Sequence, residues 1–156
     1  MLKKNKLHRN ITVIYGLAFF HCFMVIVPVI VPFFMSKGLS LAEIFYLQAV
    51  FATTIVLLEA PSGYFADIFG RRFALIISSV FLGFAYFLLN FANDMASLMV
   101  FEITAGVAMS LISGTDIALL YDTQKALQED THSESAKGIA QLGFIKSLAE
   151  ALGALV

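Results

Sequence analysis

The sequence predicts an all-α, polytopic transmembrane helix bundle, and three observations carry that expectation. Of its 156 residues, 60% are hydrophobic and 13% are charged, whereas ordinary globular chains are charged at roughly a quarter of their positions. Mean hydropathy is +0.87. The apolar residues are also gathered into continuous runs, and a hydrocarbon core about 30 Å thick is crossed by roughly 20 helical residues. A continuous apolar run at that depth is helical because a helix satisfies its interior backbone donors and acceptors within itself.

The first run covers 11–35, about 37 Å at 1.5 Å per residue. Lys3, Lys4, Lys6 and Arg9 lie ahead of it in a tail over 1–10. The run is too long for a signal-peptide core and ends in Met35-Ser36-Lys37 without a small-residue cleavage site, so it reads as an uncleaved first span. Pro28 and Pro32 each remove a backbone donor, leaving the carbonyls of Met24 and Pro28 short of a partner and predicting a bend in the outer half. The short connection Ser36-Lys37-Gly38-Leu39-Ser40 makes the first two spans antiparallel neighbours. Ser40 and Glu43 have the spacing of a capping box, which starts a second span over 41–66. A third span, 73–92, stops at Asn93-Asp94, and a fourth covers 95–120. The stretch 121–137 holds Asp122, Lys125, Glu129, Asp130 and Glu134 and reads as a solvated, part-helical connection. Gly138 opens a fifth run, 138–156, which Val156 leaves incomplete, and the expectation is a truncated chain.

Lys and Arg in the short connections set orientation. The four N-terminal cations, Arg71, Arg72, Lys125 and Lys137 share one side, and Lys37 stands on the other. The expectation is a multi-pass protein of the cell (inner) membrane with a cytoplasmic N-terminus. The lipid bilayer is its first partner. Nucleic acid is not one, because the ten Lys and Arg form no basic stripe and the net charge is -1. Cys22 is the single cysteine, so neither an intrachain disulfide nor a cysteine metal set is available. His8, His21 and His132 are scattered, and HExxH, GxSxG and GxxxxGK[ST] are all missing from the sequence. No enzyme, metal or cofactor is expected.

Ionisable side chains at membrane depth cost a few kcal/mol on insertion scales and face a packed interior or a wet cavity. His21, Glu59, Glu102 and Asp116 are the candidates for cavity lining or coupling. Glu102, Gly106, Ser110, Ser113 and Asp116 fall within an arc of about 120° at 100° per residue. Gly106-x-x-x-Ser110-x-x-x-Gly114 equally suits close helix packing, so both readings of that face stay open. Glu59, Gly63 and Asp67 share a face of the second span, with Pro61 loosening the helix between them. Lys146 and Glu150, at i and i+4, are expected to neutralise each other.

Gly63-x-x-x-Asp67-x-x-Gly70-Arg71-Arg72, joining the second and third spans, resembles the loop signature of the major facilitator superfamily of secondary transporters. Two further segments, Gly38-Leu39-Ser40-Leu41 and Ser113-Gly114-Thr115-Asp116-x-Ala118-Leu119-Leu120-Tyr121-Asp122, are similar to a bacterial, efflux-like branch. The resemblance implies alternating access for a small-molecule substrate, with helix bundles rocking around a site near mid-membrane. It also implies a cytoplasmic gate in which Asp67 and the Arg pair join an acid at the end of the fourth span, here Asp122. Gly63 and Gly70 are expected to give close approach and a tight turn. Two departures stand out: Ile68 occupies a position that is often basic, and Glu102 stands where many proton-linked antiporters carry Arg ahead of Gly106. Family members have about twelve spans in two halves, so the chain is expected to supply a partial N-terminal six-helix half. A missing C-terminal half or an oligomer partner would complete the pathway. The alternative is a small self-assembling membrane protein or regulator without transport of its own.

Overall fold

The computed structural model describes residues 2–24, 26–127 and 132–155. Seven helices follow one another there: α1 (Leu2–Cys22), α2 (Ile26–Ser36), α3 (Leu41–Phe69), α4 (Arg71–Leu89), α5 (Met95–Ile112), α6 (Thr115–Ala126) and α7 (His132–Leu155). No strand occurs among the described residues. Among the described residues four stretches, Leu7–Ser36, Leu41–Phe69, Arg71–Leu89 and Met95–Ala126, are long and apolar enough to cross a membrane. The fold is the all-α transmembrane bundle that composition predicts. The expected fifth run lies in α7, which is not among those four stretches; Gln141, Lys146 and Glu150 dilute its apolar character. Residues 25 and 156, and 128–131 of the expected connection, including Glu129 and Asp130, lie outside the described residues.

Two compact units make up the chain: Met1–Pro28 with Asp116–Val156, and Val29–Thr115. In the second unit α5 packs against both α3 and α4. Phe34, Leu47 and Leu98 are completely buried at the centre of that packing, with Ala85 and Ala92 beside them. Small residues there let the helices approach. Gly106 marks the tightest point: a Cβ built on it would stand 2.8 Å from Thr54 Cβ and 3.2 Å from the Phe51 carbonyl oxygen. Large apolar side chains such as Val56, Leu57, Ile76, Val80, Phe84 and Phe87 point outward. A surface that apolar suits lipid rather than water.

Two helix starts of this unit, those of α3 and α5, are closed by side chains. The Ser40 hydroxyl accepts from the Glu43 N–H (3.4 Å), and the Glu43 carboxylate accepts from the Ser40 N–H (2.8 Å). Asp94 and Ser97 form the same reciprocal box at α5. Hydrogen bonding from the Ser97 side chain is the main cause that holds the Asp94 carboxyl below its ordinary pKa. Lys37 Nζ donates to Asn93 Oδ1 (2.9 Å) and lies 5.5 Å from the Phe33 ring centroid. The α2–α3 and α4–α5 connections therefore meet at one end of the unit.

In the first unit α1 packs along α7. Ile14, Ala18, Leu120 and Leu142 form its core. Tyr15 donates to the Gly138 carbonyl (3.3 Å) and to Gln141 (3.2 Å). Gly138 lies against the Gln124 side chain, and Gly153 lies against the Met24 backbone. A Cβ at Gly138 would displace the Gln124 amide, and one at Gly153 would press on the Met24 backbone at 3.2 Å.

Several helix limits differ from the expected spans, each for a local reason. The first run is interrupted between Cys22 and Ile26, ahead of the prolines rather than in the outer half. Pro28 falls in the first turn of α2, where its missing N–H has no helical partner to lose. The Met24 carbonyl accepts from the Val27 N–H (3.2 Å) and so is not left short. The run over 95–120 is broken at Ser113-Gly114, where Gly114 has φ +74, the left-handed region that glycine enters without strain. Glu102 and Asp116 consequently belong to different helices and different units. Pro61 leaves α3 unbroken. α3 continues to Phe69, α6 to Ala126, and α1 begins within the expected N-terminal tail.

Two outcomes follow from this packing. Gly106→Ala is expected to destabilise the bundle by about 1–3 kcal/mol through overpacking, whereas Gly83→Ala, with nothing within 4 Å, is expected to be neutral or stabilising through helix propensity. Melting in detergent checks the contrast. Because the folded-state pKa of Asp94 is depressed, its cap contribution is present above the unfolded-state pKa and lost as pH falls through the folded one. Protection factors at Ala96 and Ser97, which divide out the intrinsic pH dependence of amide exchange, should fall on acidification, and Asp94→Asn should remove most of that fall.

Candidate functional site

A single residue joins α3 to α4. Gly70 has φ +97 and ψ 134, a conformation that other residues adopt only under strain. It reverses the chain between Phe69 and Arg71. Arg71 donates to Asp67 across this turn at 3.5 Å, with the Asp67 side chain 68% exposed. An exposed contact of that length is weak in itself. The turn is instead fixed by Phe65, Phe69 and Phe73, whose ring centroids lie 4.7 to 6.4 Å apart. Sequence reasoning passed over these rings, although their i, i+4, i+8 spacing is visible. Arg72 begins α4 beside Arg71. Gly63 has nothing within 4 Å of a built Cβ, so the close approach expected there is not made among the described residues.

Farther back along α3, two side chains reach the end of α5. Ser62 donates to the Ser110 carbonyl at 2.8 Å, which the end of α5 leaves without its usual helical donor. Ser113 donates to Glu59 Oε1 at 3.3 Å, and Glu59 is otherwise exposed. Beside these contacts lies an apolar cavity of about 420 Å³, lined by Leu58, Pro61, Phe65, Phe81 and Val107 among others. Its hydroxyls, Ser62 and Ser110, both donate to backbone carbonyls. Glu102 is 3% exposed and accepts from Gln48 Nε2 at 3.2 Å. Gln48 therefore gives the buried carboxyl a neutral donor, a partner that no motif indicated.

The remaining candidates belong to the first unit. Asp116 stands in the first turn of α6, where the helix dipole favours an acid. Its Oδ1 accepts from the Ile117 N–H (2.8 Å), and its Oδ2 meets Lys146 Nζ at 2.5 Å. The pairing of Lys146 with Glu150 anticipated from i, i+4 spacing is thus corrected: α6 supplies an acid that is 3% exposed, whereas Glu150 is exposed. His21, in the last turn of α1, is buried and within electrostatic reach of both Asp116 and Lys146. Asp122 is exposed on α6. Of the candidate residues, the structure leaves His21 within electrostatic reach of Asp116, joins Asp67 to Arg71, and gives Glu59 and Glu102 separate polar partners.

Comparison with known proteins places this geometry in context. The family model for the Major Facilitator Superfamily matches residues 11–154. No curated protein and no solved structure matches the chain.

The buried pair makes a further expectation. Lys146→Met alone leaves the Asp116 carboxylate without its counterion and should destabilise the protein by about 1–3 kcal/mol, below the range for completely buried pairs because the Lys146 side chain is 27% exposed. Asp116→Asn combined with Lys146→Met should recover most of that loss. A double-mutant cycle on melting in detergent measures it, and additive effects would remove the pair from the account.

Proposed function

The chain belongs to the major facilitator superfamily of secondary transporters, multi-pass membrane proteins rather than enzymes, and from that premise we propose that it moves a small molecule by alternating access. The observation that carries this reading is the family match together with the Gly70 turn, at which Asp67, Arg71 and Arg72 are held at one end of two membrane-length helices. In this proposal Gly63, Asp67, Gly70, Arg71, Arg72 and Asp122 form a cytoplasmic gate. The acids and Arg residues close it in the outward-facing state, and Gly70 supplies the turn that presents them. His21, Glu59, Glu102 and Asp116 line the pathway or couple it to a driving ion. The cavity beside Ser62 is a poor recognition site for a polar substrate, since its hydroxyls already serve backbone carbonyls.

The proposed orientation has a cytoplasmic N-terminus in a bacterial inner membrane, supported by the Arg pair at one end of the second unit and the single Lys37 at the other. The segments 38–41 and 113–122 favour the efflux-like branch. A second helix bundle, from another six-span half or another copy, completes the pathway, since alternating access requires one bundle to rock against another.

Asp67→Asn is expected to lower transport by about fivefold or more in a carrier built on this sequence while leaving its membrane abundance unchanged. Equal transport at equal abundance would remove the gate. A cysteine at Lys37 should react with an impermeant maleimide from outside intact cells. Reaction only after the cytosolic face is opened would invert the proposed topology.

A further inference from the structure

α3 and α4 meet at Gly70 and both pack on α5, and the crevice they share is the cavity of about 420 Å³ beside Ser62. Leu58, Pro61 and Phe65 of α3 line it together with Ile77 and Phe81 of α4 and Val107 of α5. All six belong to the second unit. Among the described residues, Ser62 and Ser110 are the polar side chains of the lining, and both turn their hydroxyl protons to backbone carbonyls: Ser62 to Glu59 (3.0 Å) and Ser110 (2.8 Å), Ser110 to Val107 (2.9 Å). Pro61 has no N–H to offer. An apolar space of this kind stays dry, and a polar group entering it would lose hydration without gaining a donor.

Two observations point to the occupant. The crevice is continuous with the outward apolar surface: Pro61 and Phe81 are exposed, and their neighbours Leu57, Val80 and Phe84 point outward. Its depth is that of hydrocarbon. At 1.5 Å per residue, the lining residues of α3 and α4 lie about 8 to 18 Å along the helices from Gly70. Arg71 and Arg72 mark the membrane surface at that turn, and half of a hydrocarbon core about 30 Å thick is about 15 Å.

We propose that the crevice holds one acyl chain of a bilayer phospholipid, taken from the leaflet on the Gly70 side. The hydrophobic effect does not drive this, because lipid tails and apolar side chains are alike in that respect. The chain enters because an empty crevice leaves its lining without dispersion partners, which packed interiors avoid. The headgroup stays outside, at the surface, and takes no part in recognition within the crevice. The bound chain is then a fixed part of the packing of α3, α4 and α5, whatever molecule the protein transports.

The sequence contains no Trp, so the fluorescence of a single introduced Trp reports on its own position. Phe65→Trp places the reporter in the crevice, and Phe84→Trp places it on the outward surface of α4. The full 156-residue chain is held in a neutral detergent and titrated with phosphatidylcholine brominated at mid-chain. Quenching of the Phe65→Trp variant should saturate at about one lipid per chain, as one pocket of this size requires, whereas the Phe84→Trp variant should show a shallow rise without saturation. Adding Val107→Phe, whose ring takes the space of several methylene groups, should weaken the saturating phase by about tenfold or more. A phospholipid with a nitroxide on its headgroup should quench the Phe65→Trp variant only weakly. The proposal fails if both reporters are quenched without saturation, if Val107→Phe leaves the saturating phase unchanged, or if the headgroup nitroxide quenches as strongly as the bromines. A dimeric chain whose crevice reporter no brominated lipid reaches would assign the crevice to a second copy and overturn the proposal as well. The comparison of the two reporters is decisive even if Val107→Phe does not fold.

Discussion

Within hydrocarbon, a backbone carbonyl or N–H left over by a helix end has no water to turn to, and the second unit meets that constraint where α5 stops. At the solvated starts of α3 and α5, Ser40 with Glu43 and Asp94 with Ser97 close the helix ends as well. Ser62 answers the Ser110 carbonyl where α5 stops. That last contact joins two helices while it completes one of them. Termination and packing are therefore the same event there: the polar groups released by a helix end become the means by which its neighbour is held. Pro61, next to Ser62, remains within an unbroken α3, so the helix keeps its length while it offers a hydroxyl sideways.

The buried ionisable groups follow a parallel logic with different partners. Glu102 has Gln48, a neutral amide that leaves the carboxyl free to be neutral or charged. Asp116 has Lys146, an ion pair that is neutral only as a pair. Among the described residues the two buried acids, one in each compact unit, thus differ in the partner that holds them.

The sequence made the helical class and the starts of α3 and α5 legible, because run length, Ser40-x-x-Glu43 and Asn93-Asp94 are local signals. It placed the bend of the first run at the prolines, since a missing N–H in mid-helix is harmful; it did not anticipate that Pro28 would begin a helix, where the same deficiency is harmless. The break at Ser113-Gly114 was hidden for a related reason: Gly in an apolar run suits close packing and a left-handed turn equally well. Projection on an ideal helix then ran straight across the break that separates Glu102 from Asp116. The Lys146 partner was missed because i, i+4 spacing sees one helix at a time, while α6 brings a more enclosed acid from 30 positions away. Gln48 and the Phe65, Phe69 and Phe73 rings were passed over because neither an amide nor an aromatic draws notice in a chain this apolar. The gate and coupling assignments are of another kind, since they depend on motion that local spacing does not encode.

The Gly70 connection has a mechanical consequence. A loop of many residues lets two helices slide or tilt independently, with the slack absorbed in the chain between them. Here the last residue of α3 and the first of α4 are two peptide links apart, so their ends are tethered as by a pin joint: the helices can open like a hinge about that point but cannot shear past one another there. Displacement imposed on α3 at this end reaches α4 undiminished, and relative movement between the pair must grow with distance from the pin. The opposite end of the pair, toward Lys37 and Asn93, is where the same rotation would be felt as the largest swing.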